Sequence, residues 1–386
     1  MSRLKLFGLA VLLLPLALPA QDGPYKVLKT AKVGGEGGTD YIIADPAGRR
    51  LYITRNAVRA RPATDSTPAV DSVPGRVTVF SLDDLSPVGT ILNGGGNGAV
   101  ADSKSGHGFA SSHPNLSMFD IKSMQMIKTI DPNADNETGM PKFSGDGIYF
   151  DPSDNRVYIG SHPTKQLIVL DVNDGKVLGK IDLPGTPEQT IADGHGTLYA
   201  LMQDSGSVAV VDEKAMKTVK TYSFGGNTGC NGLALDDKNH VLFATCSRMG
   251  PAPQRGQPGQ PPVQGPPPTL QMVILSSTDG RILTKLPIAG SSDGAAFNPA
   301  TMEAFSSGGN GTLTIVKETS PTTFEVEQNL NTMNGARTLA LDTKTGHIFV
   351  MSVERGPAPP PPAGGGRGGQ APPIPGSFTI LMIGKP

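Results

Sequence analysis

The chain has no tryptophan, two cysteines, only 17% charged residues and a formal charge of -1 over 386 residues. The missing tryptophan excludes repeat motifs built around that side chain. Two cysteines allow at most one internal disulfide. The near-neutral charge comes without a polybasic patch or a long charge run, so nucleic acid and anionic membrane surfaces are poor partners. The longest apolar run, Leu6–Leu18, is too short to span a bilayer comfortably, and no stable membrane insertion is expected. Glycine has no three-residue period, which excludes collagen. What is abundant is Gly (49) and Pro (35), together about 22% of the chain against a usual value near 12%. Each is costly inside a helix, so a helical bundle is excluded. An apolar fraction of 37% argues against wholesale disorder. Many short strands joined by many turns fit this composition.

Arg3 and Lys5 precede the apolar run, and small Ala20 precedes polar Gln21 and Asp22. This is the pattern of a secretory signal peptide over residues 1–20, cleaved after Ala20. It predicts an exported protein, periplasmic or extracellular, with residues 21–386 as the mature domain. No cysteine follows the run, so a lipid anchor is not indicated.

An internal repeat dominates the rest. IIADPAGRRLYIT from Ile42, IYFDPSDNRVYIG from Ile148, LALDDKNHVLFAT from Leu233 and LALDTKTGHIFVM from Leu339 share one form, and weaker copies begin at Ala99, Thr190 and Ala295. Each is an apolar run, a turn opened by Asp or Asn, and an aromatic inside a second apolar run. The turn-opening residues are Asp45, Asp102, Asp151, Asp193, Asp236, Asn298 and Asp342, spaced 57, 49, 42, 43, 62 and 44 residues apart. Six or seven residues later stand Tyr52, Phe109, Tyr158, Tyr199, Phe243, Phe305 and Phe349. A third and usually a fourth short β-branched segment follow in each copy. Four strands per unit of about 40 to 60 residues describe β-propeller blades. The last unit lacks a fourth strand, and Tyr25–Val33 has its pattern. The predicted fold is therefore all-β: a seven-bladed propeller of four-stranded blades, closed by the N-terminal strand.

With RRLYIT, NRVYIG and QLIVLDVNDGKVLGKI, the chain resembles the YVTN-repeat, YncE-like seven-bladed propellers over nearly all of its mature length. The resemblance implies the fold and says little of activity, because such propellers host many roles. The absent tryptophan separates the chain from WD repeats and from the tryptophan docking motifs of quinoprotein dehydrogenases.

Three insertions interrupt the repeat between second and third strands: residues 55–76, carrying four Arg, and the Pro/Gly-rich tracts 250–268 and 356–376. Such composition makes flexible or extended loops rather than core. Propeller geometry places all three over the face where the chain enters each first strand. Five residues before each turn-opening residue stand Asp40, Asn97, Asp146, Glu188, Asn231, Asp293 and Arg337. All are polar, and they are expected to ring one mouth of the central channel as a ligand-binding set, although turns that lead into strands favour Asp and Asn in any case. Asp40, Glu188 and Asp293 are the carboxylates expected to hold Ca2+ or another divalent cation, and Arg337 can pair with a substrate carboxylate. His113 and His162 fall in the same turn of adjacent blades, as turn-formers or as part of a transition-metal site. His107, His195, His240 and His347 belong to turns on the other face, where exposure is expected. Gly290–Gly294 fits the GxSxG pattern but precedes a strand, so it is not a nucleophile elbow.

Pairing Leu235 with Leu242 puts Asn231 opposite Cys246, with Cys230 one residue away. In an oxidising compartment these cysteines would form a disulfide; otherwise they are two buried thiols. The leading functional expectation is a monomeric exported binding or scaffold protein, presenting a polar channel mouth to a small ligand or protein partner. The alternative is a metal-dependent lactonase-like hydrolase at the same mouth, with metal-activated water as nucleophile.

Overall fold

A computed structural model of the chain describes residues 23–63, 69–112, 114–134, 139–140, 142–250, 268–357 and 371–386. The leader at 1–20, His113 and most of the two Pro/Gly tracts lie outside those residues.

The seven turn-opening residues act through one device. Asp45, Asp102, Asp151, Asp193, Asp236, Asn298 and Asp342 each accept a hydrogen bond from a backbone N–H two or three residues further on. A short polar side chain thus closes the turn and the chain returns antiparallel. The repeated aromatic then falls at one register position in the second strand. Tyr52 lies between Ile43 and Val79, Phe243 between Ala234 and Ile274, and Phe349 between Ala340 and Met382. All seven aromatics are buried.

The result is seven four-stranded antiparallel sheets, with no helix among the described residues. Six blades run in chain order over residues 42–92, 99–130, 145–182, 187–223, 227–287 and 292–334. The seventh, 339–384, takes its outer strand from Lys26–Lys32, which pairs with Thr379–Gly384. Pairing the first and last strands of the chain leaves no seam in the ring.

The core lies between blades rather than inside any one of them. Side chains of blades 4 and 5 form one cluster, including Tyr199, Leu201, Leu242 and Val273, and blades 2 and 3 form another. Inner strands are covered on both faces, so they read as unbroken apolar runs. Leu167, Ile168, Val169 and Leu170 are all 0% exposed, and each contributes about 2 kcal/mol of burial.

The outer strands are built differently. Each of the seven has one residue skipped in its pairing: Val88, Ile127, Leu178, Val219, Leu283, Glu327 and, in the N-terminal strand, Leu28. These bulges twist the free edge away from further pairing. They also explain why Leu28, Val88, Ile127 and Val219 are exposed apolar residues. That the N-terminal strand carries the same bulge identifies it as the missing fourth strand of blade 7.

Candidate functional site: a polar pocket on the sevenfold axis

Asp40, Asn97, Asp146, Glu188, Asn231, Asp293 and Arg337 all line one cavity of about 430 Å3. Each comes from a different blade, so the cavity lies on the pseudo-sevenfold axis. Backbone irregularity positions four of them. The pairing of first and second strands skips between Gly145 and Ile148, Pro187 and Thr190, Cys230 and Gly232, and Ser292 and Ala295. Asp146, Glu188, Asn231 and Asp293 are residues in those skips. A bulge leaves its extra residue outside the ladder and re-aims the side chain, here towards the axis.

The bulge at Asn231 also corrects the register expected from Leu235. Cys230, not Asn231, is the residue opposite Cys246, and the two cysteines are joined by a disulfide. No free cysteine remains among the described residues.

The pocket side chains are wired to one another. Asn97 Nδ2 donates to Asp146 Oδ1 at 2.6 Å, and Asn231 Nδ2 donates to Asp293 Oδ1 at 2.6 Å. Arg337 bridges two blades, with Nε 2.7 Å from Asp293 Oδ2 and a terminal nitrogen 3.4 Å from Asp40 Oδ1. Glu188, 5% exposed, accepts from Gln203 Nε2 at 2.6 Å and from the Tyr41 hydroxyl at 2.9 Å. His162 Nε2 stands 2.6 Å from Asp146 Oδ2 and 3.4 Å from Glu188 Oε1. Its ring N–H is not aligned on either oxygen, so this is charge pairing between two acids rather than one directed hydrogen bond.

Tyr41 belongs to blade 1 and reaches Glu188 of blade 4, so its side chain crosses the axis. Gln189, the residue after Glu188, joins its blade to blades 5 and 6. Its Oε1 accepts from the N–H groups of Leu233 and Ala295, and its Nε2 donates to the Ala295 carbonyl. The equivalent position in four other blades is Gly98, Gly147, Gly232 and Gly294. A Cβ at Gly98 would lie 2.7 Å from the Ile148 side chain, and one at Gly232 would lie 2.8 Å from the Ala295 nitrogen. Glycine is what lets the blades close this tightly around Tyr41 and Gln189.

The electrostatics follow from four carboxylates facing one guanidinium and one imidazole. Burial, only partly offset by Arg337, pushes the Asp40 carboxyl up to about 6. Burial likewise raises Glu188 above the usual carboxylate range, against the pull of His162. The contacts with Asp146 and then Glu188 push His162 up to about 10, so it is an imidazolium at neutral pH. Burial first, and the Glu188 charge second, raise Tyr41 well above the usual phenol range. Burial would lower Arg337, but Asp293 and Asp40 outweigh it and the net shift is upward.

The carboxylates that converge are not the expected trio. Arg337 occupies the space between Asp40 and Asp293, whereas Asp146, His162 and Glu188 bring ligand atoms within 4.8 Å of one another. Of the histidines on the other face, His195 and His240 are exposed, while His107 and His347 are half-buried. Ser292 of the GxSxG pattern is buried and bonds its own neighbour Gly294, which leaves no nucleophile there.

Tyr41 and Gln203 were not reached by counting back from the turns, and His162, expected with His113 as a turn-former or part of a transition-metal site, lines the pocket beside Asp146 and Glu188. His162 and Gln203 both stand four residues after the repeated aromatic, a position that reads Asn56, His113, His162, Gln203 and Ser247 through the first five blades. Counting forward from the aromatic links Gln203 to His162. The stems of the insertions stand on the same side. Asn56 N–H donates to the Gly38 carbonyl at 2.8 Å, and Val58 and Arg61 bridge to Val73 and Val70. The Thr228 hydroxyl donates to the Gly250 carbonyl, and the Arg355 side chain to the Ala371 carbonyl at 2.8 Å.

The fold is similar to that of several solved structures. Kuenenia stuttgartiensis hydrazine synthase matches at 13% identity over 87% of this chain and 95% of that one, with a TM-score of 0.60. The Neurospora crassa Pan2 WD40 domain matches at 11% identity over 95% and 97% of the two chains, with a TM-score of 0.61. RRP9 WD40 repeats match at 10% identity over 95% and 100%, with a TM-score of 0.63. At such identities the likeness is one of fold alone. No protein-family model matches the chain, and no curated protein matches it.

Proposed function

We propose that the chain is an exported binding protein of the YVTN-repeat, YncE-like type, whose axial pocket takes a small hydrogen-bonding ligand carrying positive charge. The observation that carries this reading is that every blade contributes at least one polar side chain to a single pocket. Four carboxylates against Arg337 and His162 leave an acidic excess for a cation or amine to neutralise. Asn97, Asn231 and Gln203 supply directed polar contacts. The three insertions, whose stems stand on the same side as the pocket, would contact a ligand or a protein partner. Export rests on the Arg3–Ala20 pattern and is in keeping with the Cys230–Cys246 disulfide. The protein is expected to act as a monomer.

The test is a thermal-shift screen of divalent cations, diamines, guanidinium compounds and polyols, repeated on Asp146→Asn/Glu188→Gln. At least one cationic compound should raise the melting temperature saturably, and the double variant should abolish the rise. A screen in which no hit is abolished by the double variant overturns the reading. Residues 1–20 should be missing from the exported protein by mass.

A second reading is favoured by one observation, the convergence of Asp146, His162 and Glu188 within 4.8 Å. With a divalent metal held there, bound water would be the nucleophile for opening a lactone, and Arg337 would hold a substrate carboxylate. Metal-dependent turnover of a lactone panel, lost in Glu188→Gln, would replace the binding reading. Absence of turnover would end the hydrolase one.

A further inference from the structure

The far ends of the blades, where first and second strands are joined, hold a separate cluster. Asp151 opens the turn of blade 3 and is 1% exposed, and Asp154 lies in that turn. Glu213 follows the third strand of blade 4 (Ser207–Asp212) and is 2% exposed. One oxygen from each of the three carboxyls lies within 4.8 Å of the others. Neither Glu213 oxygen has a hydrogen-bond partner among the described residues. The compensation is small. Asp151 accepts from the Ser153 N–H and hydroxyl, and Asp154 from the Arg156 N–H and the Tyr158 hydroxyl. Arg156 is the nearby cation, 3.5 Å from Asp154 Oδ2, and it gives its better bond, 2.8 Å, to the Glu213 backbone carbonyl. Burying one acid without a partner costs several kcal/mol, and three acids converge here.

The sevenfold repeat supplies internal controls. The position of Glu213 is marked by a backbone bond to the residue or turn before the second strand, and it reads Leu82, Ile121, Val172, Glu213, Ser277 and Glu318 in blades 1 to 6. Between blades 5 and 6 the pair Asp236 and Glu318 recurs. There the residue equivalent to Asp154 is Asn239, whose Nδ2 donates to Glu318 Oε1 at 2.8 Å. Where the third group is an amide, one oxygen of the glutamate receives a hydrogen bond from the protein. Where it is Asp154, no such donor reaches the glutamate from the described residues.

We propose that the seam between blades 3 and 4 holds one hard divalent cation of the Ca2+ class, ligated by Asp151, Asp154 and Glu213. Ligand atoms within 4.8 Å of one another match an ion that keeps oxygen at about 2.4 Å on opposite sides. All-oxygen, multiply anionic ligation suits Ca2+ rather than a soft metal. The ion would bind the turn of one blade to the third strand of the next, and its role is structural. Burial, with the Asp151 charge behind it, pushes Glu213 up to about 8, so a proton shared between the two acids is the competing occupant near neutrality.

The full chain, stripped with EDTA, is melted at pH 8 with CaCl2, MgCl2 or NaCl at matched ionic strength, and Ca2+ stoichiometry is measured by titration calorimetry. One Ca2+ per chain and a saturable rise of several degrees are expected. Asp154→Asn, which rebuilds the blade 5–6 arrangement, should remove at least tenfold of the Ca2+ affinity and raise the metal-free melting temperature. Glu213→Gln should do the same, and either variant suffices should the other misfold. Asp146→Asn/Glu188→Gln, which acts on the axial pocket, should leave this response intact. The proposal is overturned by no response to Ca2+ in the parent chain, by a response that survives Asp154→Asn and Glu213→Gln, or by one lost only in the pocket variant.

Discussion

The two ends of the propeller treat buried acid in opposite ways. At the pocket end, carboxylates from four blades are threaded into a web with Asn97, Asn231, Gln203, Tyr41, His162 and Arg337. At the far end, acids sit in separate seams, each answered locally or not at all. Asp342 has Arg49 at 2.6 Å, Glu303 has Lys385 at 2.7 Å, and Glu213 faces two further acids with no donor to either of its oxygens among the described residues. A shared web can tolerate a ligand that replaces one of its members, because the remaining groups stay partnered. An isolated seam cannot; it is either satisfied or a standing cost. This contrast is the ground on which a small-molecule site is proposed at one end and a structural ion at the other.

The largest effect expected is on the pocket end. The Cys230–Cys246 bond closes a sequence separation of 16 residues across the bulge that projects Asn231. Converting both cysteines to Ala should lower stability by about 3 kcal/mol in the chain-entropy model, measured by urea denaturation. A loss confined to the far-end seams by hydrogen exchange, with the blade 5 bulge still protected, would break the assignment. Next comes Asp342→Ala at the seam of blades 7 and 1. Asp342 is 0% exposed and also closes its turn through the Lys344 N–H and the Thr345 hydroxyl. A loss of about 2 kcal/mol is expected, less than for a fully buried pair because Arg49 keeps Asp83 and water. Glu213→Gln, one seam type away, should instead stabilise the metal-free chain. Acids at the same end of the molecule would then differ in sign, according to whether the protein answers them.

How far these differences can be read from residues alone varies with their cause. The turn-opening Asp or Asn and the aromatic six or seven residues later fix the blades in the sequence, because each does a local job that only a few residue types can do. The polar ring was countable for the same reason: its members stand at a constant distance before the turn. The bulges were not legible. A skipped residue changes neither composition nor spacing, and extrapolating an unbroken ladder from Leu235 misplaced Cys246 by one residue. The partnership of Asp146, His162 and Glu188, rather than Asp40, Glu188 and Asp293, was also hidden. It depends on Arg337 reaching sideways between two blades, and side-chain direction around a ring is set by packing. Glu213 drew no notice because no local pattern marks it; its significance lies in the seam it shares with Asp151.

Titration sharpens the contrast further. The Glu213 carboxyl is raised from the ordinary carboxylate range to about 8, so the folded chain holds that proton where the unfolded chain has lost it. The associated stability is fully present below about pH 4.5 and is lost as pH rises towards 8 in metal-free protein. Urea midpoints of the parent chain should fall across that window, and those of Glu213→Gln should fall less. Equal slopes would show that the seam does not titrate. The smallest effect belongs to the pocket. His162 is likewise raised, to about 10, by Asp146 and then Glu188, and the stability linked to its proton is full below the ordinary imidazole range and is lost as pH rises from there through about 10. Its side chain is 40% exposed, so solvent screens the pair and the stability change should stay below about 1 kcal/mol. Its proton is the sensitive readout. Imidazole NMR shifts of His162 should stay at the protonated position through pH 8, and Asp146→Asn should bring the titration down towards neutrality. A His162 that titrates near 6.5 in the parent chain would mean that the acids at the axis are partnered without it, and the web at this end would then be no more charge-coupled than the seams at the other.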